Sequence, residues 1–232
     1  MSSDNRDPVP YVLTVTAPRK VTHMRLLVAT ASAALAASAL VSGTTPGATG
    51  ATAHTHRVVL RPVDTAGHAV AGWTVHRERG VSVQCDGPAP AAVDDGIGMC
   101  FPSAEYLPAC WKSRRHTALC LRNARKQRLV RVRYTGAFGS PTAPDRPTPQ
   151  DLDLTGGQRC AIRVGGAWGQ LPSHPRWLGF YSCATGSVYG PASGDGVNRH
   201  HSQWTVHLWR SGTKQRLVTR GIGTAYYVGT AG

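Results

Sequence analysis

Apolar and polar residues alternate along most of the chain beyond residue 56, and no stretch there sustains a helical period. Alternation with period two marks half-buried strands. It is clearest around Gln158–Thr185, where Cys160, Ile162 and Val164 form one apolar row and Leu178, Phe180, Tyr181 and Cys183 close a second run. Gly165, Gly166, Gly169, Pro172 and Pro175 lie between them and break any helix. The pattern predicts two strands joined by a long loop and stapled by Cys160–Cys183. Gln127–Tyr134 alternates as plainly, with Val130, Val132 and Tyr134 on one face and Arg131 and Arg133 on the other.

Shorter runs follow the same rule. Arg57–Val63 and Val70–His76 flank the turn signal Asp64–Gly67, which predicts an opening hairpin. Val81–Cys85, Met99–Phe101, Ala109–Trp111 and Leu119–Leu121 read as short strands, as do Gln203–Arg210, Gln215–Arg220 and Ala225–Gly229. Ser193–Ser202 is a polar loop, and the four prolines of Gly139–Gln150 mark a linker. Leu121–Val130 is echoed in phase by Trp209–Val218, each with a cysteine pair upstream. The expected fold is therefore all-β. It is a disulfide-stapled, two-lobed β-sandwich or small barrel-like domain with long loops, its lobes at 81–138 and 158–229 joined by linker 139–150.

The leading segment has a different character. Leu26–Val41 is uncharged, follows Arg19, Lys20 and Arg25, and gives way to small residues ending at Ala51-Thr52-Ala53. That order is a secretory signal, and the run is shorter than the roughly 18 to 20 apolar residues of a membrane span. Residues 1–53 are read as a leader, with Met24 a rival start, and residues 54–232 as a single secreted domain. Six cysteines, an even number in an exported chain, favour three disulfides. Short strands and the lobe analogy favour Cys85–Cys100, Cys110–Cys120 and Cys160–Cys183. No CxxC pair suggests zinc.

ACW at Ala109–Trp111, LCLR at Leu119–Arg122, RCAIRVGGAWG at Arg159–Gly169, Tyr181–Cys183 and WTVHL at Trp204–Leu208 form a further pattern, completed by TAYYVG at Thr224–Gly229. Together they resemble a group of secreted actinobacterial proteins of unknown function. The resemblance implies export and the disulfide framework and carries over no catalytic residue.

Charge sharpens the expected partner. The sequence carries a formal charge of +14. Loss of the leader removes four basic and two acidic residues, leaving +12. Lys112, Arg114, Arg115, Arg125, Lys126, Arg131 and Arg133 fall in a run without a single acid from Tyr106 to Pro144. Such a run suits an anionic wall polymer or glycan of the cell envelope. Only Trp111 and Tyr134 accompany it as aromatics, so a specific nucleic-acid partner is not expected. Trp168, Trp177 and Trp209 are the candidate exposed sugar-stacking rings.

Catalytic signatures are sparse: there is no GxSxG, HExxH or Gly-rich phosphate loop. Asp94-Asp95, Asp151/Asp153 and Asp195 are read as loop carboxylates, and Ser193 with Asp195 and His200 or His201 supplies the atoms of a triad. Cleavage after Ala53 would expose His54-Thr55-His56, whose amine, amides and His56 ring suit Cu(II). The expectation is a non-catalytic binder of an anionic or glycan envelope component. Its rivals are a secreted hydrolase using loop carboxylates or the Ser/His loop, and a purely structural envelope protein.

Overall fold

The computed structural model describes residues 53–101, 106–166, 169–171, 173–210 and 216–232, all within one compact unit. Residues 1–52 of the expected leader, with its apolar stretch, and Trp168 lie outside the described residues. Among those described, every regular element is a strand.

The first half closes into a five-stranded barrel. Its strands are β2 (Thr74–Pro88), β3 (Ile97–Phe101), β4 (Leu107–Lys112), β5 (Thr117–Asn123) and β6 (Arg128–Thr135), with β1 (His56–Leu60) standing apart. Sequential neighbours pair antiparallel, and β2 meets β6 in parallel to close the ring. An up-and-down ring with an odd number of strands must contain one such parallel seam. The two separate strands expected at 70–76 and 81–85 are one long β2, whose register against β6 shifts between Arg77 and Ser82. Gly80, at φ +76, lies within the shift and supplies the left-handed backbone that such bulges use.

The second half forms a six-stranded ring. It comprises β7 (Asp151–Leu154), β8 (Arg159–Ile162), β9 (Trp177–Cys183), β10 (Gly186–Pro191), β12 (Thr205–Arg210) and β13 (Arg216–Val228). β13 closes it by pairing β12 through its first half and β7 through its second. The short β11 (Val197–Asn198) pairs with β12 outside the ring. The runs expected at 215–220 and 225–229 are merged in β13, while β7, β10 and β11 were not foreseen.

Alternation explains both cores. Along β5 and β6, Ala118, Cys120, Val130, Val132 and Tyr134 point into the first barrel. Leu119, Leu121 and Leu129 point outward into a second layer with Trp111, Ile97, Ala91 and Val228. Because both faces of β4 and β5 are covered, these strands read as continuous apolar runs rather than alternating ones. Leu152, Leu154, Tyr181, Val206, Leu208 and Tyr227 fill the second barrel.

The bridges are Cys85–Cys100, Cys110–Cys120 and Cys160–Cys183, the set favoured by the short strands and the lobe analogy. Each joins residues directly opposite one another on paired strands. Three such bonds place folding in an oxidising compartment.

One expectation needs correction. The opening hairpin does not form: β1 lies parallel to the end of β13, and β2 pairs with β3 and β6. Only the turn survives, with a single bridge between Val63 and Ala69. Its Gly67 rests on β4, where a Cβ would stand 2.5 Å from the Lys112 carbonyl oxygen. The 139–150 segment joins β6 of the first barrel to β7 of the second and is held down by hydrogen bonds. Gly96 N–H donates to Pro141 O at 2.8 Å, Thr148 N–H to Pro90 O at 2.7 Å, and Ala143 N–H to the Asp95 carboxylate at 2.8 Å. The prolines make a stiff strap across the 89–96 loop.

Candidate functional site

β7 reads Asp-Leu-Asp-Leu. Leu152 and Leu154 enter the barrel core, so the period of two turns Asp151 and Asp153 outward together. That face meets the turn joining β5 to β6. The turn is fixed locally, because Lys126 N–H donates to Asn123 Oδ1 at 2.9 Å and Gln127 N–H to Ala124 O at 3.2 Å. It delivers Arg125 across the gap, 2.7 Å from Asp153 Oδ1 and within 3.3 Å of the Leu152 carbonyl oxygen. The Arg125 guanidinium also lies over the Tyr226 ring, 5.3 Å from its centroid. Tyr226 in turn donates its phenol to Asp153 Oδ2 at 2.8 Å.

Around this ion pair runs a cleft between the barrels. One compartment, about 320 Å³, has Tyr106, Pro108 and Arg122 on one wall and Gln150, Asp151 and Ala161 on the other. A second, about 280 Å³, extends past Arg125 and Asp151 to Asp153, Arg159, Tyr226 and Leu60.

The floor is electrostatically uneven. Asp151 is 7% exposed, and among the described residues no protein group hydrogen-bonds its carboxyl. Burial pushes its pKa up to about 7, a rise that Asp153 reinforces and Arg125 opposes. Gln150 is 6% exposed, and its Oε1 is buried without a protein partner. Its backbone is pinned on both sides, N–H to Tyr226 O at 2.7 Å and C=O from Ile162 N–H at 2.9 Å. Asp153 Oδ1 lies 2.7 Å from Arg125 but out of line for a hydrogen bond, and Arg159 Nε is 3.8 Å away. Burial works against the Arg125 charge, yet Asp153 outweighs it and holds the pKa above the usual arginine value. Gln150 Oε1 is thus a buried acceptor without a hydrogen-bond donor among the described residues, next to the buried Asp151 carboxyl. Leaving a buried polar group unpaired costs about 1 to 3 kcal/mol.

The basic run is not one face. Lys112, Arg114 and Arg115 cluster at the β4–β5 end, with Arg133 exposed and Arg131 half-buried against Ser113 Oγ at 3.4 Å. Arg125 and Lys126 occupy the opposite end, about 20 Å away along the seven residues of β5. The first group is carried on a turn whose central residues, Arg115 and His116, have φ of 49° and 55°. Two left-handed residues in succession are the type I′ pattern, normally filled by Asn and Gly.

The remaining candidates fall elsewhere. Asp151 and Asp153 lie on a strand, not in loops, whereas Asp94 is held in its loop by Arg61 at 2.6 Å and by Thr230 N–H at 2.9 Å. Asp195 accepts from Arg199 and from Val197 N–H at 3.1 Å, and no His ring among the described residues reaches it, so the Ser193, His200 and His201 triad is not assembled. Trp177 is half-buried between the rings of His174 and His207, at 4.4 and 5.0 Å, and Trp209 is also half-buried. His54 and His56 sit on a segment tied down by Thr55, whose N–H donates to Ser202 O at 3.0 Å. Copper ligation through the Thr55 amide would have to break that bond. Gln150, Tyr106, Arg159 and Tyr226 were not anticipated.

No protein-family model matches the chain, and neither a curated protein nor a solved structure matches it. The functional reading therefore rests on the cleft itself.

Proposed function

We propose that the protein is a secreted, envelope-associated domain that binds an anionic glycan in the cleft between its two barrels. The observation that carries this is the polar cavity of about 320 Å³ lined by Arg122, Arg159, Gln150 and Asp151, beside which the buried Gln150 Oε1 has no hydrogen-bond partner among the described residues. Gln150 Oε1 is an acceptor in want of a donor, and a neutral Asp151 both donates and accepts. Hydroxyl and acetamido groups of a sugar chain meet that demand. Arg159, whose side chain is 68% exposed at the rim, favours acidic substituents. The exposed cluster at Lys112, Arg114, Arg115 and Arg133 offers a second, non-specific hold on a long anionic polymer.

Titration calorimetry with peptide-free peptidoglycan glycan strands tests this. Gln150→Leu removes one acceptor from the floor and weakens binding about tenfold, the worth of one buried hydrogen bond. Arg159→Ser weakens it less and flattens its salt dependence. Binding that is indifferent to Gln150→Leu would place the ligand outside the cleft.

A further inference from the structure

Alternation along β3, β4 and β5 aims Cys100, Cys110 and Cys120 into the first barrel, where Cys85 on β2 joins them. Two bridges therefore share one small core, Cys85–Cys100 across β2 and β3 and Cys110–Cys120 across β4 and β5. Their sulfurs are neighbours: Cys100 Sγ lies within 4.8 Å of both Cys110 Sγ and Cys120 Sγ. Burial divides the four unequally, since Cys100, Cys110 and Cys120 are wholly covered and Cys85 is 7% exposed. Thiol–disulfide exchange needs a thiolate, a disulfide sulfur within its reach, and access for the attacker. We propose that the two bridges form one exchange relay, entered at Cys85 by a low-molecular-weight thiol and ending at the Cys110–Cys120 staple.

Electrons balance at each step. The attacking thiolate bonds to Cys85 Sγ, and the Cys85–Cys100 bond breaks with its electron pair left on Cys100 Sγ. That thiolate is sealed from water, which disfavours its charge, and an intact disulfide lies beside it. It bonds to Cys110 Sγ, and the Cys110–Cys120 bond breaks with its pair on Cys120 Sγ, which takes a proton. Attack at Cys120 instead leaves the thiol on Cys110. A second small thiol then removes the first from Cys85 as a disulfide, so two small thiols are oxidised and one protein bridge is reduced. The crosslink between β4 and β5 is gone, replaced by one from β3. That hairpin carries Lys112, Arg114 and Arg115 at its turn, so a thiol acting at Cys85 unfastens the basic turn from inside the barrel. Cys160–Cys183 belongs to the second barrel and takes no part. So slight an opening at Cys85 admits a small thiol and not a cysteine held on a folded oxidoreductase.

The folded protein is incubated with reduced glutathione and quenched in acid, which protonates thiolates and stops exchange. Its thiols are then capped with N-ethylmaleimide in denaturant and the peptides mapped without reduction. Cys85 is expected to carry glutathione or, after the second attack, the cap. A capped thiol is expected on Cys110 or Cys120, with a new bridge joining Cys100 to the other. A capped thiol on Cys100 alone, with Cys110–Cys120 intact, would overturn the relay. So would a Cys85 that carries neither group, or a new bridge to Cys160 or Cys183, the mark of scrambling in an unfolded chain. Reduced thioredoxin in place of glutathione is expected to leave both bridges closed, and faster opening by thioredoxin would overturn entry by a small thiol. Cys85→Ser tests the second step with no thiol added, because it leaves an odd thiol inside the barrel. The cap is expected on Cys100, Cys110 and Cys120 alike, and a cap confined to Cys100 overturns the relay. If Cys85→Ser fails to fold, the wild-type map decides.

Discussion

Replacing Asp151 by Asn should change the stability of the protein in a strongly pH-dependent way. In the folded chain burial raises this carboxyl from 3.8 to about 7. Between those values the unfolded chain has released the proton and the folded chain still holds it. Stability therefore falls as pH rises through that window and is level above it. At about 1.36 kcal/mol for each pH unit, the difference amounts to about 4 kcal/mol. Asn carries no charge at any pH and escapes the penalty. Urea unfolding of wild type and Asp151→Asn at pH 4 and pH 8 gives two stability differences, and the second should favour Asn by about 4 kcal/mol more than the first. Most other titrating groups are common to both proteins and cancel. Equal differences at the two pH values would refute the burial of an unpartnered acid at this position.

Other outcomes follow from the same geometry. Arg115→Asn combined with His116→Gly places residues suited to left-handed backbone in the β4–β5 turn, and should stabilise by about 1–2 kcal/mol in thermal unfolding. The same double substitution, or Arg133→Ser, should weaken and flatten the salt-dependent binding of polyphosphate, measured by fluorescence anisotropy at two ionic strengths. Replacing Cys110 and Cys120 by Ala should cost about 3 kcal/mol in urea, the loop-closure value for their 10-residue separation.

Legibility in the sequence followed the range of the interaction. The bridges were readable because each joins neighbouring strands 10 to 23 residues apart. The in/out assignment of Val130, Val132 and Tyr134 against Arg133 was readable because alternation records which face is dry. The pair that closes the first ring was not, because β2–β6 is parallel and joins distant segments with no turn to announce it, and the parallel β1–β13 pair was hidden for the same reason. The opening hairpin failed for that reason: a good turn at Asp64–Gly67 does not decide whether a longer-range partner captures its first strand. Asp151 and Asp153 read as loop residues in the sequence because a Pro-rich segment precedes them. The signal present was the Asp-Leu-Asp-Leu alternation itself, which sets two acids on one face. Burial of that face depends on Arg125 arriving from the other barrel, and a linear charge run hides that partnership.

Binding in the inter-barrel cleft is tested most directly by amide chemical-shift mapping during titration with peptide-free peptidoglycan glycan strands. The largest shifts are expected at Gln150, Asp151, Arg159 and Ala161 on one wall and at Tyr106 and Ala124 on the other. Shifts confined to the Arg114–Thr117 turn, or none at saturating glycan, would contradict the cleft as the site of function.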